Sequence, residues 1–326
     1  MRRLVAKVLV MAGTTLLALG LVEIGFRVAY DPSQRLSTER LWRAQREAPR
    51  ASEKASKTVI GSKTYREESL SPAVLGAETT RVLFLGDSFT FGAGVPVQAR
   101  FTDILEARLN ESLDQGRWFH TFNAGISGSY PNHWLDNIEP LLDAYPADAV
   151  FCVFFLRDGT LLPTTFSHNA LIIDQIQSEA AAKPLYESSY MLRYAYDRTA
   201  WADLSRWFVE TLRKAYLGSD QDRRKWNRES ACLVEISEAC ARRDIPFHLI
   251  VFPILLGLDD YAFSDVEQVI VDFAVDAELP VFSLTPGFLG QDEQDLWVAS
   301  DDQHPNEKGH RIAADTLWPY LSSIVR

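Results

Sequence analysis

The chain has 326 residues, 47% of them hydrophobic and 24% charged, with a formal net charge of −11. That length can bury one large α/β core, and the composition excludes an intrinsically disordered chain. Residues 1–60 hold eleven basic and five acidic side chains, so residues 61–326 carry a net −17. An acidic body lacks the basic face that phosphate neutralisation needs, which excludes nucleic acid as a partner. Three cysteines make no disulfide framework, and there is no CxxC, no Cys/His cluster of zinc spacing and no HExxH. No GxxxxGK[ST] occurs, and Gly92-Ala93-Gly94 is followed by Val97 where a dinucleotide fingerprint needs its third glycine. Neither a metal nor a cofactor is expected.

In chain order, Arg2, Arg3 and Lys7 introduce Val8–Val22, a stretch without a charge. The longer apolar segment Leu4–Phe26 would measure about 34 Å as a helix at about 1.5 Å per residue, against a hydrocarbon core of about 30 Å. Residues 1–30 therefore read as a cytoplasmic tip and an uncleaved transmembrane signal anchor, with Lys7 snorkelling and Glu23 in the interface. Arg27, Arg35, Arg40 and Arg43 come soon after the segment and nearly balance the positive-inside rule, but the two-arginine start favours export of the main domain. The expected location is the cytoplasmic (inner) membrane, single-pass, with the main domain extracytoplasmic. Residues 31–78, polar and opened by Asp31-Pro32, read as a juxtamembrane linker.

From about residue 79 strands and helices alternate. Arg81–Leu85 is a short apolar run ending at a glycine, and Val97–Leu113 has helical spacing at Phe101, Ile104, Leu105 and Leu109. A strand is expected at His120–Ala124 and a helix near Asn132–Ala144. Ala149–Leu156 and Phe247–Ile254 are uninterrupted apolar runs, the mark of strands buried on both faces. Pro280–Leu284 gives a weaker fifth strand, and a last helix begins after Pro305. Repeated βα units predict a mainly parallel sheet between two helical layers, a three-layer α/β/α domain over residues 79–326. Residues 160–243 exceed one crossover helix and read as a helical insertion. Trp201, Leu204, Phe208 and Leu212 are spaced as one amphipathic face, used for packing, as a lid, or against a membrane.

In such sheets chemistry collects at the carboxyl ends of the strands. The exits here are Gly86-Asp87-Ser88-Phe89-Thr90-Phe91-Gly92, Asn123-Ala124-Gly125-Ile126-Ser127-Gly128 and Arg157-Asp158-Gly159, with Asp301-Asp302-Gln303-His304-Pro305-Asn306 before the last helix. In order and spacing these segments resemble the GDSL-type, or SGNH, hydrolases, particularly bacterial membrane-anchored relatives with a GDSFTFG nucleophile segment. The resemblance covers about residues 80–326 and implies a flavodoxin-like sheet.

It also implies roles. Ser88 would be the nucleophile and His304 its general base, with a pKa range suited to proton shuttling. Asp301 would orient the imidazole; Asp302 competes for that part, and the family spacing favours Asp301. The backbone N–H groups of Ser88 and Gly128 would form the oxyanion hole. Arg157 stands where the family has an asparagine donor. It could itself donate, fill the pocket, bind an anionic substrate group, or mark weakened hydrolysis. Asp87 is read as bracing its loop. His120, His133, His168, His248 and His310 are read as packing or surface residues. The expected function is hydrolysis of acyl esters on a glycan or lipid, through an acyl-enzyme on Ser88. The alternatives are O-acyl transfer to cell-surface polysaccharide, or a catalytically impaired glycan- or acyl-binding protein.

Overall fold

The computed structural model describes residues 2–29, 57–67, 70, 76, 78–111, 118–160, 178–179, 182–186, 188–299 and 302–325. The linker residues 31–56, His168 and Asp301 lie outside them. The chain divides into two compact units, Met1–Arg46 with Pro163–Phe208, and Glu47–Leu162 with Val209–Arg326.

The first unit is built on α1 (Arg2–Ala29), one continuous helix, and on α5 (Tyr190–Leu217) as far as Phe208. Among the described residues no helix is long and apolar enough to cross a membrane, so the span expected over Leu4–Phe26 is not found. Glu23, towards the end of α1, is held at the start of α5. Its carboxylate accepts from the backbone N–H groups of Tyr190 (2.8 Å) and Met191 (3.1 Å) and from Ser189 Oγ (2.8 Å). The two N–H groups are orphan donors at the start of α5, where a helix favours negative charge. Arg27 completes the junction, pairing with Glu23 at 3.0 Å and lying 4.9 Å over the Tyr190 ring.

The second unit is a parallel sheet of β3 (Thr79–Gly86), β4 (Trp118–Gly125), β5 (Ala149–Phe155), β6 (Phe247–Phe252) and β7 (Val281–Ser283), in the order β4-β3-β5-β6-β7. Every residue of β5 and β6 is buried, as their apolar runs predicted. Counted from β3 as first strand this is the flavodoxin-like order, whose topological switch point lies between β3 and β5. The helices α3 (Phe101–Glu111) and α9 (Glu307–Val325) pack together, as do α4 (Pro131–Ala144) and α6 (Arg224–Ala241). Trp226 of α6 stands 5.3 Å from Phe273 of α7 (Ser264–Asp276), edge to face, and 5.7 Å from Phe154 on the sheet. The expected insertion over 160–243 is thus partly ordinary architecture, since α6 is a helix of the β5–β6 crossover. The side chains of Trp201 and Leu204 lie outside the described set, and Leu212 is fully buried.

Within the stretch expected as linker, β1 (Thr58–Ile60) and β2 (Lys63–Tyr65) form an antiparallel hairpin. Ile60, Tyr65 and the adjoining Arg66 are buried. At the C-terminal end, His310 of α9 is completely buried, and its Nδ1 accepts the Phe101 N–H at 3.4 Å. Burial, reinforced by the Arg100 charge, pushes its pKa down from 6.5 to about 3. The neutral ring therefore stabilises the fold in full above pH 6.5, and that contribution is lost as pH falls from 6.5 towards 3. The loss amounts to about 1.4 kcal/mol for each pH unit of that window. His310→Asn is expected to flatten the acid limb, measured as the change in urea midpoint between pH 7 and pH 5. An unchanged slope would assign that limb to other groups.

Candidate active site

β3 ends at Gly86, and Asp87 caps the single helical turn α2 (Ser88–Phe91), its Oδ1 accepting the Phe89 N–H at 2.8 Å. Asp87 thus braces the loop. The turn folds back over the end of β4, where a Cβ on Gly125 would lie 2.3 Å from the Phe91 nitrogen. Only glycine permits that approach. Ser88, at the start of α2, is almost wholly buried, and its backbone N–H is one of the helix-start donors without an intrahelical acceptor.

The partner arrives from far along the chain. β9 (Asp302–Pro305) pairs antiparallel with β8 (Trp297–Ala299), placing Trp297 opposite Pro305. Asn306 then caps α9, its Oδ1 accepting from Lys308 N and Gly309 N while its amide donates to the carbonyls of Asp295 and Trp297. This anchored turn presents His304 Nε2 to Ser88 Oγ at 2.9 Å, with the ring 5.5 Å from that of Phe89.

The carboxylate on the histidine is Asp302, where the family spacing favoured Asp301. Asp302 Oδ1 lies 2.5 Å from His304 Nδ1 and also accepts the His304 backbone N–H at 3.2 Å. Along extended backbone, residues two apart share a face, and Asp302 and His304 are two apart on β9. Burial works to raise the Asp302 pKa, but the hydrogen bond and charge of His304 outweigh it and hold the carboxyl below its ordinary value. An ionised Asp302 keeps the proton on Nδ1, which leaves Nε2 free to accept from Ser88.

At the exit of β4, Gly128 adopts φ +76° and is exposed, with open space where a side chain would stand. Its loop is fastened by Ser129, whose Oγ donates to Gly86 O (3.1 Å) and Ile126 O (2.7 Å) and accepts from Trp134 Nε1 (2.7 Å). The exits of β3, β4 and β5 meet at the switch point with a serine, a histidine, a carboxylate and a glycine turn. Such a set can form and break an acyl-enzyme.

The GDSL-like lipase/acylhydrolase family matches this sequence over residues 84–312. The chain belongs to that family. It is therefore an ester hydrolase. Similar solved structures include TesA, at 13% identity over 75% of this chain and 99% of that one with a TM-score of 0.47. EstA from Pseudoalteromonas sp. is similar at 13% identity, 75% and 97% coverage and a TM-score of 0.45. The acetyl xylan esterase AlAXEase gives 16%, 74% and 99%, and 0.43. No curated protein matches by sequence.

Two features of this GDSL-like hydrolase were not legible beforehand. Asp87 and Asp158 are both fully buried at neighbouring strand exits, and burial raises the pKa of each. The Asp87 charge raises Asp158 further, while Arg157 draws Asp87 back down. Asp158 Oδ2 accepts the Phe155 N–H at 3.1 Å, which tightens the turn after β5. Arg157, within that turn, is half-buried with its guanidinium 5.4 Å over the Phe155 ring, and its Nε meets no acceptor among the described residues. The remaining described histidines have structural partners: His120 with Tyr145 Oη, His133 with Tyr130 N, and His248 with Tyr320 Oη. Among the described residues no group of three His, Cys, Asp or Glu side chains is placed to hold a metal.

Proposed function

We propose that the chain cleaves acyl esters, O-acetyl esters included, through a covalent intermediate on Ser88. Ser88 Oγ attacks the ester carbonyl as its proton passes to His304 Nε2, and the carbonyl oxygen takes up negative charge facing the Ser88 and Gly128 N–H groups. Collapse expels the alkoxide, which takes the proton from His304. Water then attacks the acyl-enzyme with His304 again as base, releasing the acid and restoring the serine. The observation supporting this most strongly is the chain of contacts from Asp302 Oδ1 to His304 Nδ1 (2.5 Å) and from His304 Nε2 to Ser88 Oγ (2.9 Å). The test is to treat the full-length protein with a fluorophosphonate and locate the adduct, alongside turnover of p-nitrophenyl acetate and octanoate. An adduct on Ser88 with ester turnover is expected. A folded protein that takes no label would overturn the reading in favour of a binding protein.

In the same proposal Arg157 serves as third oxyanion donor in place of the family's asparagine. Its position one residue before Asp158, its charge close enough to act on Asp87, and its unmatched Nε support that part. Arg157→Gln is expected to lower kcat by about 10²-fold with KM little changed. A large rise in activity on Arg157→Asn would show instead that the native side chain obstructs the site.

Membrane association and an extracytoplasmic position belong to the proposal as well. They are supported by the basic start Arg2, Arg3, Lys7 and by Leu16, Leu17, Leu21 and Ile24, large apolar side chains exposed on α1. Fractionation and protease accessibility of spheroplasts would test both. A protein recovered with the cytosolic fraction would overturn them.

A further inference from the structure

We infer that Arg66 is a positioning residue for the nucleophile, contributed by a hairpin that lies outside the family-matched residues 84–312. This rests on Ser88 being the nucleophile. Arg66 directly succeeds β2 and is only 5% exposed. Its guanidinium sits at the far end of the nucleophile turn. Nη1 donates to Gly92 O at 3.2 Å, Nη2 donates to Val95 O at 2.8 Å, and Cζ lies 5.4 Å over the Phe91 ring. Gly92 is the C-cap of α2 and donates its own N–H to Ser88 O at 3.1 Å. One side chain thus holds the carboxyl end of the turn whose first residue is Ser88.

A second buried arginine secures the first. Arg100, 1% exposed, donates from Nη1 to the Arg66 carbonyl at 3.2 Å. Its other nitrogens are taken by Glu67 Oε1 (2.8 Å) and by Asp103 Oδ1 and Oδ2 (2.9 and 2.7 Å). Arg100 also ends the loop that begins at Gly92. The hairpin therefore grips that loop at Gly92 and Val95 and, through the Arg66 carbonyl, at Arg100. Two buried guanidiniums so close together repel, and the Arg100 charge helps to pull the Arg66 pKa down, after burial itself. Bracing this turn by main-chain hydrogen bonds alone would avoid that repulsion. The charged fork does what such bonds do not, since it binds two carbonyls three residues apart in one rigid plane. The Oγ–Nε2 contact at Ser88 depends on where α2 sits, and a displacement of about 1 Å at a reacting atom costs about 10²-fold in rate.

The experiment compares wild type, Arg66→Met and Arg66→Lys in the full chain. Active sites are titrated with a fluorophosphonate, so that kcat is expressed per competent serine, and thermal midpoints are recorded in parallel. Arg66→Met is expected to lower kcat per titrated site, and the labelling rate constant, by about 10²-fold with KM unchanged. Arg66→Lys, which keeps the charge but loses the fork, is expected to fall between the two. A merely structural arginine would lower the midpoint and the fraction of titratable sites while leaving kcat per site at the wild-type value, and that result would overturn the proposal. Should Arg66→Met not fold, the lysine variant decides by the same per-site value. Wild-type protein that takes no label would refute the serine mechanism itself, an outcome distinct from a labelled wild type with indifferent Arg66 variants.

Discussion

Ser88→Ala is expected to lower kcat by about 10⁶-fold while leaving KM and the folded state nearly unchanged, and His304→Ala to do almost the same. Members of a nucleophile–base unit fail together, because a hydroxyl without a proton acceptor is little better than no hydroxyl. The geometry makes the dependence strict here. His304 Nε2 lies 2.9 Å from Ser88 Oγ, whereas the carboxylate oxygen near that hydroxyl, Asp87 Oδ2, is 3.4 Å away. The other Asp87 oxygen is taken up by the Phe89 N–H at 2.8 Å, which ties this carboxylate to bracing its own loop. Some rate above water should survive in both variants, because the N–H groups at Ser88 and Gly128 remain to stabilise the oxyanion. Steady-state turnover of a short-chain ester, with fluorophosphonate labelling as a second readout, checks this. A Ser88→Ala enzyme with turnover close to wild type would place the chemistry elsewhere.

The second large effect separates two adjacent aspartates. Asp302→Asn is expected to reduce kcat by about 10⁴-fold, and Asp301→Asn to change it little. Asp302 accepts both the ring and the backbone N–H of His304 through one oxygen. An asparagine there keeps the size but can offer its NH₂ to Nδ1. That places the imidazole proton on Nε2 and removes the acceptor that Ser88 needs. The comparison uses purified full-length variants assayed side by side, with circular dichroism to confirm the fold. The reverse ranking would assign the partner of His304 to Asp301, as the family spacing has it.

Much of the fold was written plainly in the chain because strands buried on both faces need unbroken apolar runs. Ala149–Phe155 and Phe247–Phe252 could hardly be anything else. The meeting of Ser88 with His304 was legible for a different reason: Ser88 comes after such a strand at a glycine turn, and His304 precedes the proline before the last helix. The identity of the third member was not, because Asp301 and Asp302 are adjacent carboxylates in the sequence, and it is the extended backbone of β9, paired with β8, that puts Asp302 on the face of His304. Nor was the hairpin at Thr58–Tyr65. Its strands are three residues each, too short for any periodicity to register, and Arg66-Glu67-Glu68 looks like solvated linker. An arginine that owes its place to carbonyls 26 and 29 residues further on leaves no local trace.

Ser88 and His304 are separated by 216 positions, yet the proposed reaction requires them in contact. A chain made from its amino end completes β3, β4 and β5 long before the histidine exists, so the growing enzyme holds its serine with no base beside it. Joining the two closes most of the length of the second unit, a contact of high sequence separation. On the proposed mechanism, hydrolytic power therefore appears only once the carboxyl-terminal part of the chain is in place. A half-made or half-unfolded copy, on that mechanism, lacks the base and turns over the esters around it only weakly.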